Sequence, residues 1–138
     1  MKNKPFHLSL PCKGIQKTEE FYCGLLGASK GRHTSFWIDI NLFGNQITFT
    51  KIPDFQFSVR PYKFEDVVLP SFHFGVVLNS KEWEEMYGRI ARSGIKPSIQ
   101  MEFLKGKTGE HESFFLEDPN GHMVEFKKFA NDDHIFKI

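Results

Sequence analysis

Apolar and polar residues alternate along several short stretches of the chain, the signature of half-buried β-strands. The alternation is clear at 5–11 (PFHLSLP), 45–51 and 122–128, and shorter β-rich segments lie near 28–33, 35–40, 96–102 and 112–117. Residues 71–78 (SFHFGVVL) are instead apolar almost throughout, as expected of a strand covered on both faces. Two segments, 16–25 and 80–93 (SKEWEEMYGRIARS), carry apolar residues at helical spacing. Ser80 is the expected N-cap of the second helix, with acidic residues in its first turn, and Gly94 the expected stop. Residues 53–69, with two prolines and mixed charge, read as a connector.

The order strand, helix, three strands thus occurs twice. Phe6-His7-Leu8-Ser9-Leu10 matches Phe72-His73-Phe74-Gly75-Val76, and the strand GNQITFTK matches GHMVEFKK. Such self-similarity predicts an α+β fold of tandem βαβββ modules, about 5–52 and 71–129, within a single domain spanning 1–138. Because alternate residues of a strand share a face, His7 and Ser9 lie opposite Phe6, Leu8 and Leu10. His73 and Gly75 lie opposite Phe72, Phe74 and Val76, and Glu125 lies opposite Val124 and Phe126. If the strands form one curved mixed sheet, His7, His73 and Glu125 converge on its concave side. Gly75 would then leave room for a ligand beside His73.

Composition narrows the partners. With 18 basic and 17 acidic side chains the net charge is +1, which offers no electrostatic case for nucleic acid or an anionic membrane surface. No segment approaches the roughly 20 apolar residues of a membrane span, and no signal-peptide pattern opens the chain. Cys12 and Cys23 are too few for a disulfide framework and fit free thiols in a reducing cytoplasm. Sixteen phenylalanines imply a densely packed sheet protein, in which some rings also wall an apolar pocket for an aromatic substrate.

Two imidazoles and one carboxylate are a recognised ligand set for divalent metals. They leave coordination positions open, as in the facial triad of non-haem Fe(II) oxygenases; Mn, Ni, Co and Zn accept the same donors. A substrate with two neighbouring oxygens can chelate such an ion. The competing reading is a set of structural histidines and a strand-end glutamate.

The marks FHLSLP with His7, FYCGLLGAS, SFHFGVVL with His73, and FFLEDPNGHMVEFKKF with Glu125 make the chain resemble the vicinal oxygen chelate superfamily. Its members include glyoxalase I, extradiol dioxygenases, fosfomycin-resistance transferases and bleomycin-binding proteins. DINLFGNQITF and FLKGKTGEHESFFLEDPNG are most similar to a small extradiol-dioxygenase-like subfamily. The resemblance implies the glyoxalase/bleomycin resistance/dihydroxybiphenyl dioxygenase fold, a metal cleft and a homodimer, with some members completing each site from both chains. It places the ligand positions at His7, Thr48, His73 and Glu125. Threonine at the second of these disfavours a four-ligand glyoxalase I site and suits three-ligand members.

The leading expectation is therefore a metal-dependent dioxygenase, with Fe(II) favoured. The alternatives are a glyoxalase-like lyase or epimerase, a fosfomycin-type thiol transferase in which Ser9 bonds a substrate oxyanion, and a non-enzymatic small-molecule binder. Dioxygenase chemistry needs an acid/base near the bound oxygens. His111 and Tyr62 are the candidates, each with a plain surface role as the alternative. His122 reads as a turn residue, its strand parity pointing it away from the Glu125 face. Lys105 is a candidate cation for a carboxylate substrate.

Overall fold

A computed structural model of the chain describes residues 4–138, so the first three residues of the expected 1–138 domain lie outside the described residues. Two compact units are present. The first ends at Phe57 and takes in Asp118–Gly121; the second comprises Ser58–Glu117 and His122–Ile138.

In the first unit, strands β1 (His7–Cys12), β2 (Ser29–His33), β3 (Trp37–Leu42) and β4 (Asn45–Lys51) form one sheet in the order β1-β4-β3-β2. β1 runs parallel to β4, and the remaining pairs are antiparallel. One face holds Leu10, Cys12, Ile38, Ile40, Leu42, Ile47 and Phe49, all buried. Helix α1 (Ile15–Glu19) continues as a wider turn through Glu20–Leu25 and packs on β3 and β4. It sets the Tyr22 ring 4.7 Å from that of Phe49.

The turn Asp118–Gly121, the DPNG of the sequence, belongs to this unit through buried polar bonds. The Tyr22 hydroxyl donates to Asp118 at 2.8 Å, the Asn120 amide to the Thr18 hydroxyl at 3.1 Å, and the Lys13 N–H to Asn120 Oδ1 at 2.8 Å. Burial, and then the Asp118 charge, push the Tyr22 hydroxyl well above the ordinary tyrosine pKa. The motif therefore works as a clip rather than as an isolated turn.

In the second unit, β7 (Phe74–Val77), β8 (Ile99–Phe103), β9 (His111–Glu117) and β10 (Met123–Phe129) form a sheet in the order β7-β10-β9-β8, with β7 parallel to β10. The unit thus repeats the first one's topology. Helix α2 (Ser80–Ser93) lays Trp83, Met86 and Ile90 on one face of the sheet. There the Trp83 indole donates to the Phe126 carbonyl at 2.9 Å and meets Phe114 edge-on. Asn79 rather than Ser80 caps the helix. The Asn79 side chain accepts from the Glu82 N–H and Glu82 answers the Asn79 N–H, a reciprocal box that Ser80, the first helical residue, is one position too late to make. Gly94 ends the helix at φ 80°, as expected.

Part of the expected connector is structured. Strands β5 (Pro61–Phe64) and β6 (Val67–Pro70) form a hairpin. Leu69 packs with Phe103 and Phe115, joined by Phe64, Val67, Ile99, Met101 and Met123, so the hairpin covers part of the sheet face opposite α2. Its turn places Glu65 and Asp66 at φ 47° and 67°. Those angles ordinarily call for Asn-Gly or Asp-Gly, so Glu65-Asp66 carries no hairpin signal. No described helix is long and apolar enough to cross a membrane.

Candidate metal centre

The face of the second sheet left free by α2 carries Met123, Glu125, Lys127 and Phe129 from β10 and His111, Ser113 and Phe115 from β9. His73 lies just before β7, one residue outside the strand in which the sequence placed it. This irregular position lets its Nδ1 reach back to the Pro70 carbonyl at 3.0 Å. A carbonyl only accepts, so Nδ1 donates to it, which leaves Nε2 of a neutral imidazole as the free electron-pair donor. Nε2 faces Glu125 Oε1 at 3.6 Å, beyond hydrogen-bond length. The ring stands edge-on to Phe115 at 5.3 Å.

Glu125 is 8% exposed. Its Oε2 accepts from the buried Ser113 hydroxyl at 2.8 Å, and the Lys127 ammonium stands 3.5 Å from Oε1. Nε2 and Oε1 therefore face one another across 3.6 Å, with the Lys127 ammonium beside the same oxygen. Donors each about 2.1 Å from one ion can be at most about 4.2 Å apart, so the pair fits a shared divalent ion. A ligating histidine whose other nitrogen is held by a backbone carbonyl is the usual arrangement around such ions. Among the described residues, no group of three or more His, Cys, Asp or Glu side chains is assembled to hold a metal.

Gly75 does not make room for a ligand. It pairs with Glu125, and a Cβ there would overlap the Glu125 carbonyl oxygen and lie 2.6 Å from the carbonyl carbon. The missing side chain admits the β10 backbone, so the expected use of Gly75 is corrected.

His7 and Ser9 are exposed on β1 in the first unit. Ser9 pairs with Thr48, as Gly75 pairs with Glu125, so His7 holds the place in β1 that His73 holds before β7. Thr48 donates to Asp39 Oδ1 at 2.6 Å, and Gln46 and Arg32 reach Asp39 Oδ2 at 3.3 and 3.4 Å. The Thr48 bond, ahead of those from Gln46 and Arg32, lowers the Asp39 pKa against the opposing effect of burial.

His111 opens β9, its Nδ1 2.8 Å from the Gly109 carbonyl and its ring stacked on Phe103 at 5.1 Å. It stands four residues from Phe115, the partner of Glu125, a separation of roughly 13 Å along the strand. Tyr62 lies on β5, paired with Leu69 and 42% exposed. His122, expected as a turn residue, is fully buried, and Lys105 pairs with Glu102 at 3.4 Å. Ser113 and Lys127 escaped sequence reading. Their only signals were a small polar residue inside an apolar strand and a cation two places after Glu125 on the same face.

Two units of the same strand order define a duplicated α+β architecture. The chain matches the family model described as the Glyoxalase/Bleomycin resistance protein/Dioxygenase superfamily over residues 4–126 and belongs to that superfamily. Its members bind divalent metals and small-molecule substrates, often as dimers, and most are enzymes.

Among solved structures, a glyoxalase/bleomycin resistance protein/dioxygenase from Alicyclobacillus acidocaldarius is 26% identical with a TM-score of 0.81, and 97% of each chain is covered. The fosfomycin resistance protein FosX from Listeria monocytogenes is 20% identical with a TM-score of 0.65, covering 97% of this chain and 98% of its own. A lactoylglutathione lyase from Agrobacterium tumefaciens is 12% identical with a TM-score of 0.65, covering 99% and 98%. The last two show the fold alone. No curated protein matches the chain significantly.

Proposed function

We propose that this protein is a divalent-metal-dependent enzyme that chelates a small substrate through neighbouring oxygens, with His7, His73 and Glu125 as ligands and extradiol-type ring cleavage as its reaction. The observation that carries the reading is the His73–Glu125 pair, with Nδ1 anchored on Pro70 and Nε2 turned toward the carboxylate. His7 is assigned the third position from its place in the duplicated register. Fe(II) bound to these donors supplies Lewis acidity and electrons for dioxygen.

The protein's own contribution is positional. The Pro70 carbonyl fixes the tautomer and orientation of His73. Ser113 occupies Oε2 of Glu125 and leaves Oε1 turned toward the histidine. Phe115 packs against the imidazole and shields it from water on that side. Phe129, on the same face of β10, offers apolar surface to an aromatic substrate. His111 and Tyr62 remain the acid/base candidates and Ser9 an oxyanion donor, with His111 the one on the Glu125 face.

The test is anaerobic loading with Fe(II), followed by metal analysis and oxygen uptake across a panel of catechols. Glu125→Gln should hold at most about a tenth of the wild-type iron. Wild-type iron content in that variant, or no uptake by iron-loaded protein with any catechol, would overturn the assignment.

A further inference from the structure

Glu125 is almost buried and already has a counter-ion. The Lys127 ammonium lies 3.5 Å from Oε1, the same oxygen that faces His73 Nε2 at 3.6 Å. Lys127 is held on that face by strand alternation, opposite Ser113 on β9 and beside Val77 on β7. Its side chain is 27% exposed, and Nζ is 5.9 Å from the centroid of Phe129 on its far side. The ammonium thus has a carboxylate on one side and an aromatic face and solvent on the other.

A divalent ion on Oε1 and Nε2 would occupy the ground that Lys127 now neutralises. Two cations at one carboxylate oxygen repel one another, the more so as water is excluded, and the ion already satisfies much of the charge. The four-carbon stem of lysine gives an easy way out, since rotation moves the ammonium without disturbing β10. Once moved, it is a partly exposed charged donor with no carboxylate partner.

We propose that Lys127 is an exchanging counter-ion. It neutralises Glu125 in the metal-free protein and, when the ion binds, turns to receive a carboxylate carried by the substrate in addition to its two chelating oxygens. The inference rests on the metal reading above and narrows its substrate class to anionic chelators. In this exchange only the partner of Lys127 changes. The metal alone then binds against the lysine, while metal and a carboxylated substrate favour one another, each by the same factor.

Co(II) serves as the metal probe, with catechol and 3,4-dihydroxybenzoate as neutral and carboxylated chelators, all measured by calorimetry on the full chain. Lys127→Met should bind Co(II) at least about fivefold tighter than wild type, through loss of the competing cation. Co(II)-loaded wild type should prefer 3,4-dihydroxybenzoate over catechol by about tenfold, Lys127→Met should lose the preference, and Lys127→Arg should retain it. Metal-free Lys127→Met should also melt below wild type and regain its stability with Co(II). Lys127→Gln, which keeps a donor for Glu125, replaces it if the methionine variant does not fold. Unchanged Co(II) affinity in the uncharged variant, or an undiminished preference for the carboxylated ligand, overturns the exchange. Glu125→Gln binding Co(II) like wild type overturns the metal assignment instead, so the two failures are distinct.

Discussion

Replacing Gly75 with alanine tests whether the second sheet has the register described. The methyl carbon would lie 2.9 Å from the Glu125 Cα and 2.6 Å from its carbonyl carbon, and these are backbone atoms that no rotamer change can move. β7 is an edge strand, so it yields by lifting from β10 along the pairs Phe74–Val124, Gly75–Glu125, Val76–Phe126 and Val77–Lys127. Losing two ladder bonds costs about 1 kcal/mol each. The strain of overpacking adds about 1–3 kcal/mol, for a sum of about 3–5 kcal/mol. With an unfolding entropy near 2.1 cal/mol/K per residue, a chain of this length loses roughly 3 °C of melting temperature per kcal/mol, hence about 10–15 °C. Thermal unfolding followed by circular dichroism measures this. Co(II) affinity should fall in parallel, since both His73 and Glu125 sit at the displaced junction. A variant melting within about 2 °C of wild type, with unchanged Co(II) binding, would refute the pairing of Gly75 against Glu125.

Three further substitutions probe other parts of the fold. Tyr22→Phe removes the buried bond to Asp118 and should cost about 1.5–3 kcal/mol in urea unfolding, because the acceptor is a carboxylate. Asn79→Ala deletes the capping box of α2 and should cost about 1 kcal/mol by the same measurement, whereas Ser80→Ala should cost much less. Thr48→Val should destabilise by about 1.5 kcal/mol at pH 7, through loss of the bond that lowers the Asp39 pKa. A depressed carboxylate pKa adds stability above the unfolded-state value of about 3.9, and that stability is lost as pH falls through the folded value. The melting difference between wild type and Thr48→Val should therefore narrow in acid, and a difference constant from pH 7 to about pH 3 would contradict this role of Thr48.

The strands and helices were readable because period-2 and helical patterns survive wherever one face is buried. β1, β3, β4, β9, β10 and α2 all fall close to their expected spans. The hairpin β5–β6 was not readable: Glu65 and Asp66 adopt left-handed angles without the residues that usually announce them. Glu125 falls on β10 as expected and His73 one residue before β7, and both were visible in the sequence as ligand-type residues, whereas their supports were not. Pro70 acts through its backbone carbonyl, which no side-chain pattern encodes, and Ser113 acts from a neighbouring strand across a register that only three dimensions fix. Gly75 was noticed for the right reason, lack of a side chain, and given the wrong beneficiary. The DPNG segment was visible as a motif, but its bonds to Thr18, Tyr22 and Lys13 span about a hundred positions of sequence and could not be inferred from the turn alone.

The two halves place their carboxylates in different hydrogen-bonding environments. In the first sheet, the position paired like Glu125 holds Thr48, and the acid stands one strand over at Asp39. Asp39 receives Thr48, Gln46 and Arg32, donors on both of its oxygens, which is the environment that stabilises a carboxylate as a structural anion. In the second sheet, the residue one strand over is Phe115, which can donate nothing, so Glu125 has Ser113 on one oxygen and a removable ammonium near the other. A divalent ion at Asp39 would have to displace the 2.6 Å bond from Thr48 or the donors on the other oxygen. At Glu125 it need only exclude a flexible lysine. Under the metal assignment proposed above, the exchange of a donor-poor for a donor-rich neighbour, at one register position of a repeated sheet, would account for a ligand set that draws its carboxylate from the second repeat alone.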